Sequence, residues 1–211
     1  MPSRYRRLTI AALCVSAAAM LSPAVVRAET DDEVDLLRAA QLDNVSGVSA
    51  ALARGANPNV RDGSGETALI VAMRNEAYRV ASLLMKQPRI DLEARAPNGN
   101  TALMFAAGLG YRDGNMAVPT RDRGTPEEAI AAIQLCLDRG AQINEPGANG
   151  DTALHVAVTG RGDLDIIRYL VEHGASIETK NTAGQTALDA ARASRRDRTA
   201  AAVLLESLAK K

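Results

Sequence analysis

Apolar residues in this chain recur in short blocks, not along one long face. The segments AIAAIQLCLDRGAQI (129–143) and LDIIRYLVEHGASI (164–177) place them three and four apart, and a glycine follows where each helix would stop. LLRAAQLDNVSGVSAALARGANPNVRD (36–62) reads as two helices with a Gly-Ala-Asn ending. ALDAARASRRDRTAAAVLLESLAKK (187–211) reads as two helices with no link after them. A Thr-Ala-Leu tripeptide occurs four times, with its threonine at 67, 101, 152 and 186 and a glycine two residues earlier each time. The steps are 34, 51 and 34 residues, which is one structural unit repeated with a single insertion of 17. Each unit is expected to run turn, helix, short connection, helix, glycine stop and extended link. The chain then divides into units of roughly 33–62, 63–97, 98–148, 149–182 and 183–211, an all-α solenoid with atypical end copies. End copies of a stack keep one face in water, so their divergence is physically required.

The extra residues fall in the third copy. Its first helix is expected to end near Gly108-Leu109-Gly110, and its second to start at Thr125-Pro126-Glu127-Glu128, a capping box with proline at the first helical position. Between them lies YRDGNMAVPTRDRG (111–124), which holds Tyr111, Arg112, Arg121 and Arg123. A loop inserted at a helix–helix turn costs little entropy, so a passive surface loop is one reading. An aromatic and several arginines are also what interfaces favour, so a binding loop is the other.

GDTALHVAV (150–158) and RGANPN (54–59) carry a resemblance to the ankyrin repeat, whose pattern is Asp-x-x-Gly-x-Thr-Pro-Leu-His-x-Ala-Ala followed by a second helix ending Gly-Ala-x-x-Asn. Alanine stands for the proline in all four copies, and histidine is kept only at 155. The resemblance implies a curved stack of paired helices with hairpin-like loops on one side, and a role in binding proteins. It implies that Thr67, Thr101, Thr152, Thr186 and His155 tie turns to helices through hydrogen bonds. It also implies a partner surface made of hairpin tips and first-helix faces, which selects Ser64, Glu66, Arg74 and Asn75, then Asn98 and Asn100, then Asn149, Asp151 and Thr159, and finally Gln185. Similarity to exported bacterial ankyrin proteins suggests an envelope enzyme needing an accessory or protective factor, or a toxin needing an immunity protein.

Composition narrows the chemistry. Aromatics are 2% of the 211 residues, so a core of Ala, Leu, Ile and Val in thin helices is expected instead of a ring-lined pocket. Residues 1–28 read as a signal peptide: Arg4, Arg6 and Arg7, an uncharged apolar run, then Val26-Arg27-Ala28 before the expected cleavage. The chain is therefore expected in the periplasm or secreted, by the general or the twin-arginine route, with a membrane tether as the alternative if the leader stays. Twenty-five basic and 25 acidic residues balance in the whole chain, and losing four leader arginines leaves about −4, which disfavours nucleic acid as partner. Cys136 becomes the lone cysteine of the mature chain, expected as a buried small hydrophobe, with a redox role as the alternative. His155 and His173 have no ligand-spaced companions, and no nucleophile elbow or phosphate loop is present. The expectation is a monomer without catalytic residues, metal or cofactor, and with a protein partner.

Overall fold

The computed structural model describes residues 30–108, 124–194 and 199–210. The expected leader and residues 111–123 of the insertion, with Tyr111, Arg112, Arg121 and Arg123, lie outside the described residues. Ten helices follow one another among them: α1 (Asp31–Gln41), α2 (Val45–Ala53), α3 (Ala68–Arg74), α4 (Tyr78–Met85), α5 (Ala102–Ala107), α6 (Pro126–Asp138), α7 (Ala153–Thr159), α8 (Leu164–Glu172), α9 (Ala187–Ala193) and α10 (Thr199–Leu208). Consecutive helices pair, the odd helices stack as one inner layer and the even helices as an outer layer. The described residues contain no strand, only an isolated bridge between Arg61 and Thr67.

The inner helices are six or seven residues long in α3, α5, α7 and α9, far below the length at which an isolated helix is stable in water. Packing therefore holds them. Alanine at the first and fifth positions after each threonine (Ala68 and Ala72, Ala102 and Ala106, Ala153 and Ala157, Ala187 and Ala191) is buried in all four copies, which lets neighbouring inner helices approach closely. Leu69, Leu103 and Leu154 fill the space between the two layers. Cys136 joins that core from α6, with its sulfur 3.3 Å from that of Met85 on α4.

The threonines start these helices. The Thr67, Thr101 and Thr186 hydroxyls accept from the backbone N–H of Ile70, Met104 and Asp189, the N-cap bond expected of a short polar side chain. Thr152 differs because histidine follows three residues later. His155 is fully buried, its Nε2–H donates to the Gln185 carbonyl at 3.0 Å, and its Nδ1 lies 2.9 Å from the Thr152 hydroxyl and 3.3 Å from the Thr152 N–H. The carbonyl can only accept, which fixes the proton on Nε2. In the next copy Asp189 replaces the ring, accepting from the Thr186 N–H at 3.0 Å and hydroxyl at 2.8 Å, and these bonds hold its carboxyl below the usual range.

The first copy is less eroded than its sequence suggests. α1 begins one turn early, at Asp31, under a capping box in which the Thr30 hydroxyl accepts from the Glu33 N–H and the Glu33 carboxylate accepts from the Thr30 N–H. The capping box expected at Thr125 and Glu128 is present, with Pro126 opening α6.

Replacing His155 by alanine leaves the Thr152 N–H buried without a partner, takes one of two donors from the Gln185 carbonyl and removes a fully packed ring. The expected loss is about 2–4 kcal/mol of unfolding free energy, measured by urea denaturation against wild type.

Candidate protein-binding surface

Four hairpin turns line one side of the stack, at Asp62–Gly65, Ala96–Gly99, Gly147–Gly150 and Asn181–Gly184. Each closes on an N–H of its glycine donated to the carbonyl three residues back, at 2.8 to 3.0 Å. A second bond, from the turn's first N–H to the carbonyl four residues on, frames each turn at 2.8 to 2.9 Å. Gly65, Gly99, Gly150 and Gly184 all have positive φ, between 74° and 85°, the conformation glycine adopts without cost. Adjacent tips also meet. A β-carbon on Gly99 would lie 2.2 Å from the Ala148 backbone nitrogen, whereas one on Gly184 would meet nothing within 4 Å.

Side chains from one turn lock onto the next. Arg61 donates to the Gly65 carbonyl of its own turn and at 2.8 Å to the Arg95 carbonyl of the following one. Arg95, 34 residues on, donates to the Gly99 and Pro146 carbonyls and pairs with Glu145. A second row stands eight residues before the first three threonines. The Asn59 amide donates to the Arg89 carbonyl and accepts from the Asp91 N–H, Glu93 accepts from the Gln142 N–H, and Asn144 donates to the Gly174 carbonyl and accepts from the Ser176 N–H. None of these residues stood out by type alone, but the register that locates the threonines also locates them.

The residues selected from the sequence fall into three groups. Ser64, Asn98 and Asn149 are exposed at successive tips and form one row. Asn75, Asn100, Asp151, Thr159 and Gln185 are half-buried. Of these, Asn75 donates to the Val71 carbonyl, Thr159 to the His155 carbonyl, and Asp151 accepts from the Asn181 amide, all within 2.8 Å. Glu66 and Arg74 are turned towards each other at 2.8 Å along α3, with 12% and 25% of their side chains exposed. The first-helix faces of the middle copies offer little else, because residues 68–73, 102–107 and 153–158 are buried throughout. Exposed first-helix side chains occur at the ends of the stack, as Asp35 and Arg38 on α1 and Arg192 on α9.

The insertion leaves and returns through close contacts. Gly108, which ends α5, lies against Gly160, where a β-carbon would be 2.8 Å from the Gly108 carbonyl oxygen. On the return side Gly124 lies flat on Tyr78, whose ring carbon would be 2.3 Å from a β-carbon there. Tyr78 is 5% exposed with its hydroxyl unpaired, and burial raises its ionisation far above the ordinary tyrosine range, with nearby Glu76 adding to the rise.

A family model described as ankyrin repeats (3 copies) matches residues 36–114 and 126–211. The chain belongs to the ankyrin repeat family. It is similar to human (Homo sapiens) neurogenic locus notch homolog protein 4, with 36% identity over 81 residues that make up 38% of this chain and 4% of that protein. It is also similar to mouse (Mus musculus) rabankyrin-5, with 29% identity over 126 residues, 59% of this chain and 9% of that one. This chain therefore spans under a tenth of either relative. Ankyrin repeats are generally protein–protein interaction modules and generally non-catalytic. Among the described residues no group of three or more His, Cys, Asp or Glu could hold a metal ion, and no helix is long and apolar enough to cross a membrane.

Two outcomes follow from these contacts. Gly184→Ala meets only the backbone penalty of positive φ, about 1 kcal/mol, while Gly99→Ala adds overpacking of about 1–3 kcal/mol against Ala148, so chemical denaturation ranks Gly99→Ala as the more damaging. Burial pushes the Cys136 thiol from its ordinary value up to about 12, so native Cys136 reacts with a maleimide at pH 8 at least a hundredfold more slowly than in denaturant, on the order of the lost thiolate fraction. The same shift predicts that stability is lost as pH rises from 9, where the unfolded thiol ionises, towards 12, and that Cys136→Ala lacks this increment.

Proposed function

We propose that this chain acts outside the cytoplasm as a non-catalytic recognition module for a folded protein, after cleavage of its leader behind Ala28. Contact is made by the hairpin tips around Ser64, Asn98 and Asn149, by exposed first-helix positions, and by the insertion at 111–124 through Tyr111 and its arginines. The observation that carries this reading is the rigid tip row. Backbone bonds, the Arg61 and Arg95 bridges and the Gly99 contact with Ala148 hold small polar side chains at fixed spacing. Such a surface binds without first being ordered, and affinity lost to ordering is saved. Ser64, Asn98 and Asn149, each followed by a glycine, suit hydrogen bonds to a varied protein surface.

A redox role for Cys136 is not favoured. Its 1% exposure and raised thiol leave no reachable thiolate.

Protein recovered from the exporting compartment after crosslinking tests the proposal. Its amino terminus is expected at Glu29. Wild type should capture a specific protein, and that capture should fall at least tenfold for the S64R/N98R/N149R variant, on the order of one or two lost interface anchors, with the circular dichroism of the variant unchanged. Replacing 111–124 by a short Gly-Ser link separates the loop's share from that of the tips. A mature chain that retains the leader, or capture indifferent to both variants, would overturn the reading.

A further inference from the structure

An inner helix in the middle of this stack has three neighbours: α3 packs on α1, α4 and α5, α5 on α3, α6 and α7, and α7 on α5, α8 and α9. Its fourth side faces away from both layers, where a helix ordinarily shows water a polar stripe. The outer helices keep such a stripe, with Arg79 on α4, Glu127 and Glu128 on α6, and Asp165 and Arg168 on α8 exposed. The three middle inner helices do not. Residues 68–73, 102–107 and 153–158 step right round their helices at about 100° per residue, and all of them are buried and, His155 apart, apolar.

The fourth residue after each threonine marks the side left open by those neighbours. It stands two residues, or about 200°, beyond the leucine that fills the space between the layers. It is Val71 in α3, Phe105 in α5 and Val156 in α7, with 4%, 2% and 6% exposure. Val71 is buried without belonging to the continuous apolar core, so the packing of the two layers does not account for its cover. Arg74, its neighbour one turn along the same face, pairs with Glu66, and both keep little exposure for a surface ion pair. At the ends of the stack the cover is gone, because Val34, Asp35 and Arg38 on α1 and Asp189, Arg192 and Ala193 on α9 are exposed. The covered stretch is the second, third and fourth copies, centred on the one that is interrupted.

We propose that Val71, Phe105 and Val156 form an apolar seat across the inner face of the three middle copies, and that the chain's own residues 109–123 occupy it. The segment departs from Gly108, buried at the end of α5, and returns at Gly124, buried against Tyr78. Both its ends therefore lie beside the central copy. Fully extended it reaches about 50 Å, or about 25 Å out and back, and neighbouring inner helices are about 10 Å apart, so it spans from α3 to α7 with length to spare. Its composition has a part for each side: Leu109, Met116 and Val118 are apolar, and Arg112, Asp113, Arg121 and Asp122 are charged. Removing three large apolar side chains from water supplies the driving force. The first-helix surface of the middle copies is then filled in cis, and a partner reaches the centre of the stack through 109–123 and not through the helices. The seat is a property of the single chain and stands whether or not the tips bind a partner.

Limited trypsin digestion of the full purified chain, read by mass spectrometry, tests this, because cleavage tracks the population in which the segment is open. Arg112, Arg121 and Arg123 are the sites inside the segment, and Arg54 and Arg139 are exposed sites on the helical stack. V71N takes an apolar side chain from the seat, and M116D/V118D takes two from the segment without touching a helix. Each should speed cleavage behind Arg112, Arg121 and Arg123 about tenfold, with cleavage behind Arg54 and Arg139 and the circular dichroism unchanged. Wild type cut at the three inner sites as fast as M116D/V118D would overturn the seat, and is the result expected if a partner protein, absent from the purified chain, is the occupant. Protection that disappears on dilution would assign the cover to a second copy and overturn it equally. V71N cut like wild type would put the segment elsewhere on the chain. If V71N does not fold, V71T, close to valine in shape, takes its place.

Discussion

None of these helix pairs can bury its own apolar face, and that constraint shapes everything else in the molecule. An inner helix of seven residues has fewer than two full turns of hydrogen bonds, and its stability comes from the helices on either side. Such packing demands short distances between backbones. The alanines at 68, 72, 102, 106, 153 and 157, all at most 2% exposed, meet that demand. Large aromatics would hold the inner layer apart, which gives the low aromatic content a structural cause. Phe105 is accommodated within the inner layer at 2% exposure.

Stacking at fixed distance turns every polar position into part of a row. A residue that bonds across one junction recurs one unit later, as Arg61 and Arg95 do, and as Asn59, Glu93 and Asn144 do. The tip surface inherits this order. Because the first three turns are joined through carbonyl-directed arginines and close backbone packing, their outward side chains stay free to be small and polar. Rigidity and a featureless composition are therefore compatible, and a surface without an aromatic anchor at the tips can still present a defined pattern.

What the sequence made legible were the local features. The threonine caps, the positive-φ glycines, the Pro126 start of α6 and the buried Cys136 each follow from one residue and its near neighbours. The capping box at Thr30 and Glu33 is equally local, but the missing Thr-Ala-Leu motif hides it in the sequence. Contacts between copies were less accessible. That Asp43 caps α4 depends on a turn conformation and on a neighbour 37 residues away, and that Glu66 faces Arg74 depends on how an arginine lies along α3. Residue type suggested solvent for both members of that pair. Their mutual distance, which no spacing rule supplies, is what sets them apart from the exposed tip residues.

The interruption is where these two kinds of information meet. Its ends are locally readable, as glycines 108 and 110 and the Thr125 box, but what keeps the stack continuous across it is not. An ordinary junction distributes coupling over many small apolar contacts, so losing one changes little. At the third copy the inner helix has six residues and ends against Gly160, yet it still packs on α3, α6 and α7, so the same sharing of apolar contacts carries the stack across the interruption.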